Sequence, residues 1–396
     1  MSFCEKNKNK IQIAILVAIG LIMFAVFLRM FYYQAVTVRS GFFPSDLDEH
    51  IDFARRGVGY SFLYSIMGLL LNTFDGVFPI AVLGSLMIVG TWLASAKIIS
   101  MLMKNTGYFK SAIIALPILI VTGIYIPIIY PHFYSRQLIS QPYHNITYYG
   151  MRLFVALAMI FFYKMFDNYL TKINVYHWIA LAVLLALSTS VKPSLLYGFA
   201  LSLLIFLIID FFRCGFKAKP LSHIIILGLV VIPSLMIMLS QYIILFVKPP
   251  SSGGESSGIA LIWGVNFVKH GFLQTALKLI CSIGFPCLVA FVNRKELNRF
   301  EKFCYVMFFI ELLIGIMFVE TGKRAKHGNF FWGVYGGAYF MFIVAVPLFI
   351  KNVIQRKNEG RILTPYPIAG GILLTGHLVS SLVYFAIVML GKSCLH

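Results

Sequence analysis

Long apolar segments separated by short basic loops constrain this chain more than any other feature of its sequence. A helix needs about 20 apolar residues to cross the hydrocarbon core of a bilayer, and almost all of the 396 residues lie in or beside such segments. Hydrophobic residues make up 60% of the chain and charged residues 12%, whereas about 25% charged is usual in soluble domains. The sequence therefore predicts an all-α, polytopic membrane protein that forms one transmembrane domain over residues 1–396.

The apolar pattern predicts about eleven transmembrane helices. The basic amino-terminal segment should stay in the cytoplasm, because Lys and Arg are retained on that side. The apolar run 60–71 is too short to span, and counting it as a span would place every later basic loop outside, so we interpret it as interfacial. The predicted spans cover residues 11–36, 77–103, 111–130, 147–166, 176–191, 194–212, 222–247, 271–292, 303–319, 332–350 and 366–390.

The excess of basic over acidic residues does not indicate that the protein binds nucleic acid. The formal net charge is +19, but the basic residues lie in short loops between apolar spans and not in a groove interleaved with aromatic side chains. Membrane topology and anionic lipid explain this charge better. The six cysteines show no CxxC or Cys/His spacing, so we expect neither a disulfide framework nor a structural zinc site. The expected partner is the lipid bilayer.

Alternation of the spans defines a set of outer loops with a distinct composition. They contain His, Asn, Tyr, Trp and isolated charges, whereas the predicted inner loops carry plain basic clusters. Any chemistry is therefore expected at the outer face. The outer loops are 37–76, with short interfacial helices, 131–146, 248–270 and 320–331, together with a tight turn at Lys192.

The first outer loop contains the densest acidic cluster in a chain that has 14 acidic and 33 basic residues. Ser45 is a favoured N-cap, which predicts a short helix from about Asp46 and places Asp48 and Asp52 one turn apart. Acidic residues in a first helical turn also complement the helix dipole, and this structural explanation would cover Asp46 and Glu49. Repulsion between neighbouring carboxylates argues instead for a bound cation or a proton acceptor.

Polar and basic residues of the other outer loops are candidates for substrate binding. The 320–331 loop carries three basic residues against the positive-inside tendency, which predicts a phosphate ligand; binding of lipid head groups is the alternative. Arg152 falls inside the outer half of a span, where a cation either needs an anionic partner or snorkels to the head groups. The candidates are Arg136, His144, Asn145, Arg152, Lys192, Lys323, Arg324, Lys326 and His327.

The segment Asp46-Leu47-Asp48-Glu49-His50 directly follows the first span and precedes an interfacial stretch and many further spans. This arrangement resembles the glycosyltransferase C superfamily of integral membrane enzymes, which includes protein mannosyltransferases and aminoarabinose transferases. The resemblance implies that an acidic residue of the first loop is the catalytic base or helps bind a metal. It also implies that the donor is a sugar linked to a polyprenyl phosphate.

On this resemblance we predict an inverting glycosyl transfer at the outer face of a bacterial plasma membrane. Asp48 is the expected base, so Asp48→Asn should abolish transfer, and Asp46 and Glu49 are further catalytic candidates. His50 is a candidate for donor binding. Asp46, Glu49 and His50 are also possible ligands of Mg²⁺ or Mn²⁺. The acceptor can be a glycan, a lipid or a protein.

Two other functions fit the same residues. The first is a flippase or exporter of lipid-linked sugars, and the second is a polysaccharide polymerase that relies on Arg136 and Arg324. A transporter needs ionisable residues near the membrane midplane. Here most of the informative ones lie at the outer ends of the spans, with Glu311 and Asp210 as exceptions, which favours an enzyme.

The donor phosphate has two candidate clamps in the sequence. If Lys323, Arg324 and Lys326 hold it, their loop must fold back over the first outer loop and keep Asp48 ionised through its positive charge. Arg136 and Arg152 form the alternative clamp.

Overall fold

The computed structural model describes residues 3–37, 43–104, 106–126, 139, 141–247, 258–262, 272–322, 328–361 and 363–392. Within these residues the chain is almost wholly helical, as predicted. The α-helices are α1 (Phe3–Val36), α2 (Leu47–Arg55), α3 (Phe62–Thr73), α4 (Phe78–Leu102), α5 (Tyr108–Leu119), α6 (Ile146–Phe166), α7 (Val175–Val191), α8 (Ser194–Arg213), α9 (Ala218–Gly228), α10 (Ile232–Tyr242), α11 (Phe272–Val292), α12 (Arg299–Met317), α13 (Phe331–Asn358) and α14 (Pro365–Met389).

Seven of the described helical segments are long and apolar enough, by length and composition, to cross a membrane. Exposed apolar side chains such as Ile11, Leu21 and Ile372 lie on the outside of the bundle, where contact with lipid removes the penalty of exposing them to water. The predicted class, an all-α membrane protein, is therefore confirmed, whereas the predicted count of eleven spans is not. The seven segments are Asn9–Val36, Phe78–Leu102, Ile146–Phe166, Ser194–Arg213, Ala218–Val247, Phe331–Asn358 and Pro365–Met389.

Two short helices, α2 and α3, lie between α1 and α4. Helix α2 starts after Asp46, as predicted, and ends before Gly57, whose positive φ of 66° suits a residue without a side chain. The helix begins one residue later than a Ser45 N-cap would place it, because Asp46 occupies the N-cap position, but the Ser45 hydroxyl oxygen still accepts from the N–H of Leu47 at 3.1 Å. The Ser45 hydroxyl also donates to the carbonyl oxygen of His144 at 2.7 Å and so joins the first loop to the segment before α6.

Helix α5 is much shorter than the predicted span 111–130. It ends at Leu119, the chain is irregular to residue 126, and residues 127–130 lie outside the described residues. Side chains of α14 satisfy this irregular backbone: Ser381 and Ser380 accept from the N–H groups of Thr122 and Tyr125, each at 2.9 Å. Backbone that leaves a helix among membrane spans is tolerated only where protein groups satisfy it in this way.

Helices α8, α12 and α13 meet around Glu311, which is fully buried. Its Oε1 accepts a hydrogen bond from the backbone N–H of Gly198 at 2.6 Å. A Cβ atom at Gly333 would lie 1.9 Å from Oε2 of Glu311 and 2.8 Å from the carbonyl oxygen of Ser194. The close approach of α13 to α8 therefore requires glycine at position 333.

A two-stranded antiparallel sheet joins two of the predicted outer loops. Strand β1 (Ile259–Leu261) pairs with β2 (Phe318–Glu320), with Ile259 opposite Glu320. Of the predicted outer loop 248–270, only residues 258–262 are described.

The predicted inner loops also meet, at the opposite end of the bundle from the acidic motif. Arg299 at the start of α12 forms an ion pair with Asp210 in the last turn of α8, and the hydroxyl of Tyr169 donates to the same carboxylate oxygen at 2.6 Å. Asp210 therefore lies at a helix end and not near a midplane, which removes one of the two exceptions named from the sequence.

Candidate functional site

Three segments predicted to be outer loops and the start of α13 come together at one end of the bundle. The loop between α1 and α4 contacts the segment before α6 through Ser45 and His144. The Ser61 hydroxyl donates to the carbonyl oxygen of Val191 at 3.1 Å, which brings in the turn between α7 and α8. Trp332 at the start of α13 packs against His144, with ring centroids 5.6 Å apart. We call the group formed by Asp46, His50, Tyr64, His144, Asn145, Lys192 and Trp332 the Asp46 cluster.

Asp46 lies at the centre of this cluster. Its Oδ2 accepts a hydrogen bond from the side-chain amide of Asn145 at 2.8 Å, and its Oδ1 lies 3.5 Å from Nε2 of His50, one turn further along the chain. The Asp46 side chain is 30% exposed. A carboxylate that is held by two neighbours and is still partly exposed can accept a proton from a bound molecule.

Asn145 is oriented by its role as the N-cap of α6. Its Oδ1 accepts from the backbone N–H of Tyr148 at 2.9 Å and from the hydroxyl of Thr147 at 2.6 Å. Two donors on the amide oxygen fix which way the amide points, so its NH₂ group faces Asp46. Local capping of a helix thereby positions a donor for the carboxylate.

Lys192 supplies a positive charge at the same end of the bundle. Its Nζ lies 4.3 Å from the ring centroid of Trp332, which is a cation–π contact, and 3.5 Å from the hydroxyl oxygen of Thr147. Because Lys192 caps the C-terminal end of α7 just before α8 begins, its backbone is fixed by two helices.

Electrostatics keep Asp46 charged. Burial alone would raise the pKa of Asp46, but its contact with His50, its electrostatic interaction with His144 and the hydrogen bond from the Asn145 amide together outweigh burial, so the pKa of Asp46 lies below its ordinary value. Burial lowers the pKa of His144, the charges of Lys192 and His50 lower it further, and Asp46 only partly opposes them. At neutral pH the cluster therefore combines an ionised Asp46 with a neutral His144.

The lowered pKa of His144 predicts a pH-dependent stability. Below the ordinary histidine pKa of about 6.5, the unfolded chain binds a proton at His144 that the folded chain does not yet bind, so stability falls as pH decreases through this window. We expect the thermal midpoint in detergent to fall between pH 7.5 and pH 5, and to fall less steeply in His144→Gln. Equal slopes in the two proteins would contradict the assignment to His144.

Arg152 lies deeper in the bundle than Asp46 and is fully buried. Its Nη1 donates to Oε1 of Gln141 at 3.0 Å, and its guanidinium lies 4.5 Å from the ring centroid of Tyr339. Among the described residues no carboxylate forms an ion pair with it. Tyr148 bridges the two levels, because its ring lies 5.4 Å from the Arg152 guanidinium and 6.1 Å from the ring of Trp332.

The remaining candidates from the sequence do not join the cluster. Asp48 is half-buried, and no described residue forms a hydrogen bond or ion pair with its side chain. Glu49 is exposed on α2. Asp52 pairs with Arg56 in an exposed ion pair. The other five candidates, Arg136, Lys323, Arg324, Lys326 and His327, lie outside the described residues.

The predicted metal ligands do not converge. Asp46 and His50 are neighbours, but Glu49 points to the exposed side of α2. In the part of the chain that the structure describes, no three His, Cys, Asp or Glu side chains are placed to hold a metal ion. These residues therefore do not fit a three-ligand Mg²⁺ or Mn²⁺ site, and we derive no step through a metal.

The sequence did not identify two aromatic members of the cluster. The hydroxyl of Tyr64 lies 2.7 Å from Nδ1 of His50, and Trp332 lies beneath Lys192. One signal was present, because Tyr60 and Tyr64 sit at a four-residue spacing beside the acidic motif in an otherwise apolar run.

Comparison with models of known protein families gives no match, and comparison with curated protein sequences gives none.

Proposed function

We propose that this protein is a membrane glycosyltransferase that moves a sugar from a polyprenyl-phosphate donor to an acceptor hydroxyl at the end of the bundle that carries the Asp46 cluster. The observation that carries the proposal is the ionised, partly exposed Asp46 carboxylate, held by Asn145 and His50, with the Lys192 cation linked to Asn145 through the hydroxyl of Thr147. This combination supplies a proton acceptor and a positive group for a departing phosphate in one place.

The reaction follows from these groups. Asp46 accepts the proton of the acceptor hydroxyl while that oxygen attacks the anomeric carbon. The bond between the anomeric carbon and the phosphate oxygen breaks, and the lipid phosphate leaves with both bonding electrons. Lys192 stabilises the negative charge on this leaving group. Arg152, deeper in the bundle and without a described carboxylate partner, is the second candidate for contact with an anion.

The proposal can be tested in detergent solution, where the donor reaches the protein without crossing a membrane. Purified protein, a polyprenyl-phosphate sugar and extracts of envelope glycans are incubated, and released polyprenyl phosphate is measured by mass spectrometry. A transferase releases it in detergent, where transport across a bilayer has no meaning. If no glycan extract leads to release, while cells lacking the protein keep normal pools of lipid-linked sugars and envelope glycans, the proposal is wrong.

Asp48 stays a candidate base, and a matched variant separates it from Asp46. We expect Asp48→Asn to keep transfer within about threefold of the wild type, because no described group holds the Asp48 carboxylate or aims it at the cluster. The measurement is the rate of polyprenyl phosphate release under the same conditions. Loss of transfer in Asp48→Asn with full activity in Asp46→Asn would reverse the assignment and return the base to Asp48.

Export of a lipid-linked sugar is the second candidate function, and one observation favours it. Interrupted helices form the binding sites of many secondary transporters, and α5 ends at Leu119 with irregular backbone held by Ser380 and Ser381. In proteoliposomes an exporter moves the intact lipid-linked sugar across the bilayer without releasing polyprenyl phosphate. That result would favour export over transfer.

A further inference from the structure

Glu320 is a buried carboxylate next to the Asp46 cluster. It ends strand β2, opposite Ile259 of β1, and only 7% of its surface is exposed. The next residue, Thr321, holds this end of the sheet together. Its backbone N–H donates to the carbonyl oxygen of Gly258 at 2.8 Å, and its hydroxyl accepts from the N–H of Gly258 at 2.9 Å. The sheet therefore fixes the position of the Glu320 backbone.

The Asn329 side chain connects Glu320 to Trp332 of the cluster. Its Nδ2 donates to Oε2 of Glu320, and its Oδ1 accepts from the indole N–H of Trp332, whose Nε1 lies 3.1 Å away. A carboxylate can only accept and an indole N–H can only donate, so the two contacts together fix which way the amide points. Without the Glu320 carboxylate, the amide would lose the contact that keeps its oxygen towards Trp332.

Trp332 in turn determines where the Lys192 cation lies. The Nζ atom of Lys192 lies 4.3 Å from the centroid of the Trp332 ring, so the face of the ring attracts it. The same Nζ lies 3.5 Å from the hydroxyl oxygen of Thr147, which donates to the Asn145 amide that holds Asp46. The placement of the proposed cation relative to the proposed base therefore depends on how the indole is oriented.

We propose that Glu320 and Asn329 are positioning residues, which hold the Trp332 indole in the orientation that places Lys192 beside the departing lipid phosphate. Neither residue contacts a reacting atom, and both act through Trp332. If their contacts served only to stabilise the fold, the effect of removing them would not depend on Lys192. This role of the residues rests on the proposed glycosyl transfer.

The indole N–H signal of Trp332 tests the chain of hydrogen bonds without any substrate. Purified protein labelled with ¹⁵N-tryptophan is measured by NMR, and Trp332→Phe identifies the Trp332 signal among the four tryptophans. We expect Asn329→Leu, which removes the acceptor, to move this signal to higher field. Glu320→Leu should also move it, because the amide is no longer held. Glu320→Gln is the matched variant and should leave the signal near its wild-type position, because the glutamine oxygen can still accept from Asn329.

Trp92 is the internal control for the fold. Its indole N–H donates to the carbonyl oxygen of Ala112 at 2.8 Å, a contact that involves neither Glu320 nor Asn329, so its signal should stay in place in every variant. If Asn329→Leu does not fold, as a shift of the Trp92 signal would show, the two Glu320 variants decide the question. A Trp332 signal that stays in place in a folded Asn329→Leu or Glu320→Leu protein overturns the proposal.

The kinetic readout separates positioning from stability. In the polyprenyl phosphate release assay, Asn329→Leu should lower kcat about tenfold and leave KM for the acceptor unchanged, because a misplaced Lys192 stabilises the leaving phosphate less well. In protein that already carries Lys192→Met, the addition of Asn329→Leu should cause no further loss, because the effect of Asn329 passes through Lys192. Glu320→Gln should keep kcat within about threefold of the wild type, since the hydrogen bonds are kept.

Two kinetic results contradict the positioning role while leaving the transferase standing. One is an unchanged kcat in Asn329→Leu, and the other is a loss in the double variant that equals the two single losses combined. Absence of transfer in the wild type removes the proposed function, and the NMR result then still decides whether Glu320 and Asn329 orient Trp332.

Discussion

Replacing Asp46 with asparagine is expected to lower the rate of sugar transfer by about a hundredfold or more, the range in which general base catalysis contributes. The amide is close in size to the carboxylate, and its oxygen can still accept from Asn145, so the fold should be kept. It cannot take a proton from an acceptor hydroxyl at neutral pH. The measurement is the release of polyprenyl phosphate by the purified variant.

The control for this variant is its thermal midpoint in the same detergent. A midpoint within a few degrees of the wild type shows that lost transfer reflects lost chemistry and not lost folding. A folded Asp46→Asn protein with full transfer would remove Asp46 from the mechanism. The variants Asp46→Asn and Asp48→Asn together distinguish the roles of two carboxylates that lie only two positions apart in the chain.

Gly333→Ala is expected to have the largest effect on folding. The new Cβ would lie 1.9 Å from Oε2 of Glu311 and 2.8 Å from the carbonyl oxygen of Ser194, far inside van der Waals contact. Overpacking of this kind typically costs about 1–3 kcal/mol, and here one of the two atoms belongs to the backbone, which cannot rotate away. We expect a clear fall in the yield of folded protein and in its thermal midpoint in detergent.

Gly371→Ala is the matched control for this prediction. Gly371 also lies in a long apolar helix, α14, but apart from the backbone of its own helix and its chain neighbours no atom lies within 4 Å of the position that its Cβ would take. Because alanine is a better helix former than glycine, this variant should be as stable as the wild type or slightly more stable. Equal behaviour of the two variants would contradict the close approach of α8 and α13 around Glu311.

The sequence was sufficient to predict the class of fold and the position of the acidic helix. Apolar segments of membrane-spanning length leave little choice of architecture, and the stretch from Asp46 to Gly57 contains its own start and stop signals. The segments that carry Asp46, His144, Lys192 and Trp332 meet at one end of the bundle. This agrees with the alternation of inner and outer loops that we inferred from the positions of the basic residues. These features depend on local composition, which a single sequence displays.

The choice between Asp46 and Asp48 could not be made from the sequence. Helical spacing groups Asp48 with Asp52, but the partner that holds Asp46 is Asn145, 99 positions away. The early end of α5 likewise depends on residues that are distant in the chain. The segment 111–130 is apolar enough for a full span, and the groups that hold its irregular part, such as Ser381, are about 260 residues further along the chain.

The support of the irregular segment after α5 also has a consequence for biogenesis. Ribosomes deliver α5 long before α14, whose Ser380 and Ser381 accept from the N–H groups of Tyr125 and Thr122. Until α14 enters the bilayer, these N–H groups have to be satisfied by water or by the insertion machinery, since lipid offers no acceptor. The part of the bundle around α5 is therefore completed only by α14, whose Ser381 lies about 260 residues after Thr122 in the chain, so this part of the newly made protein stays incomplete until α14 is inserted.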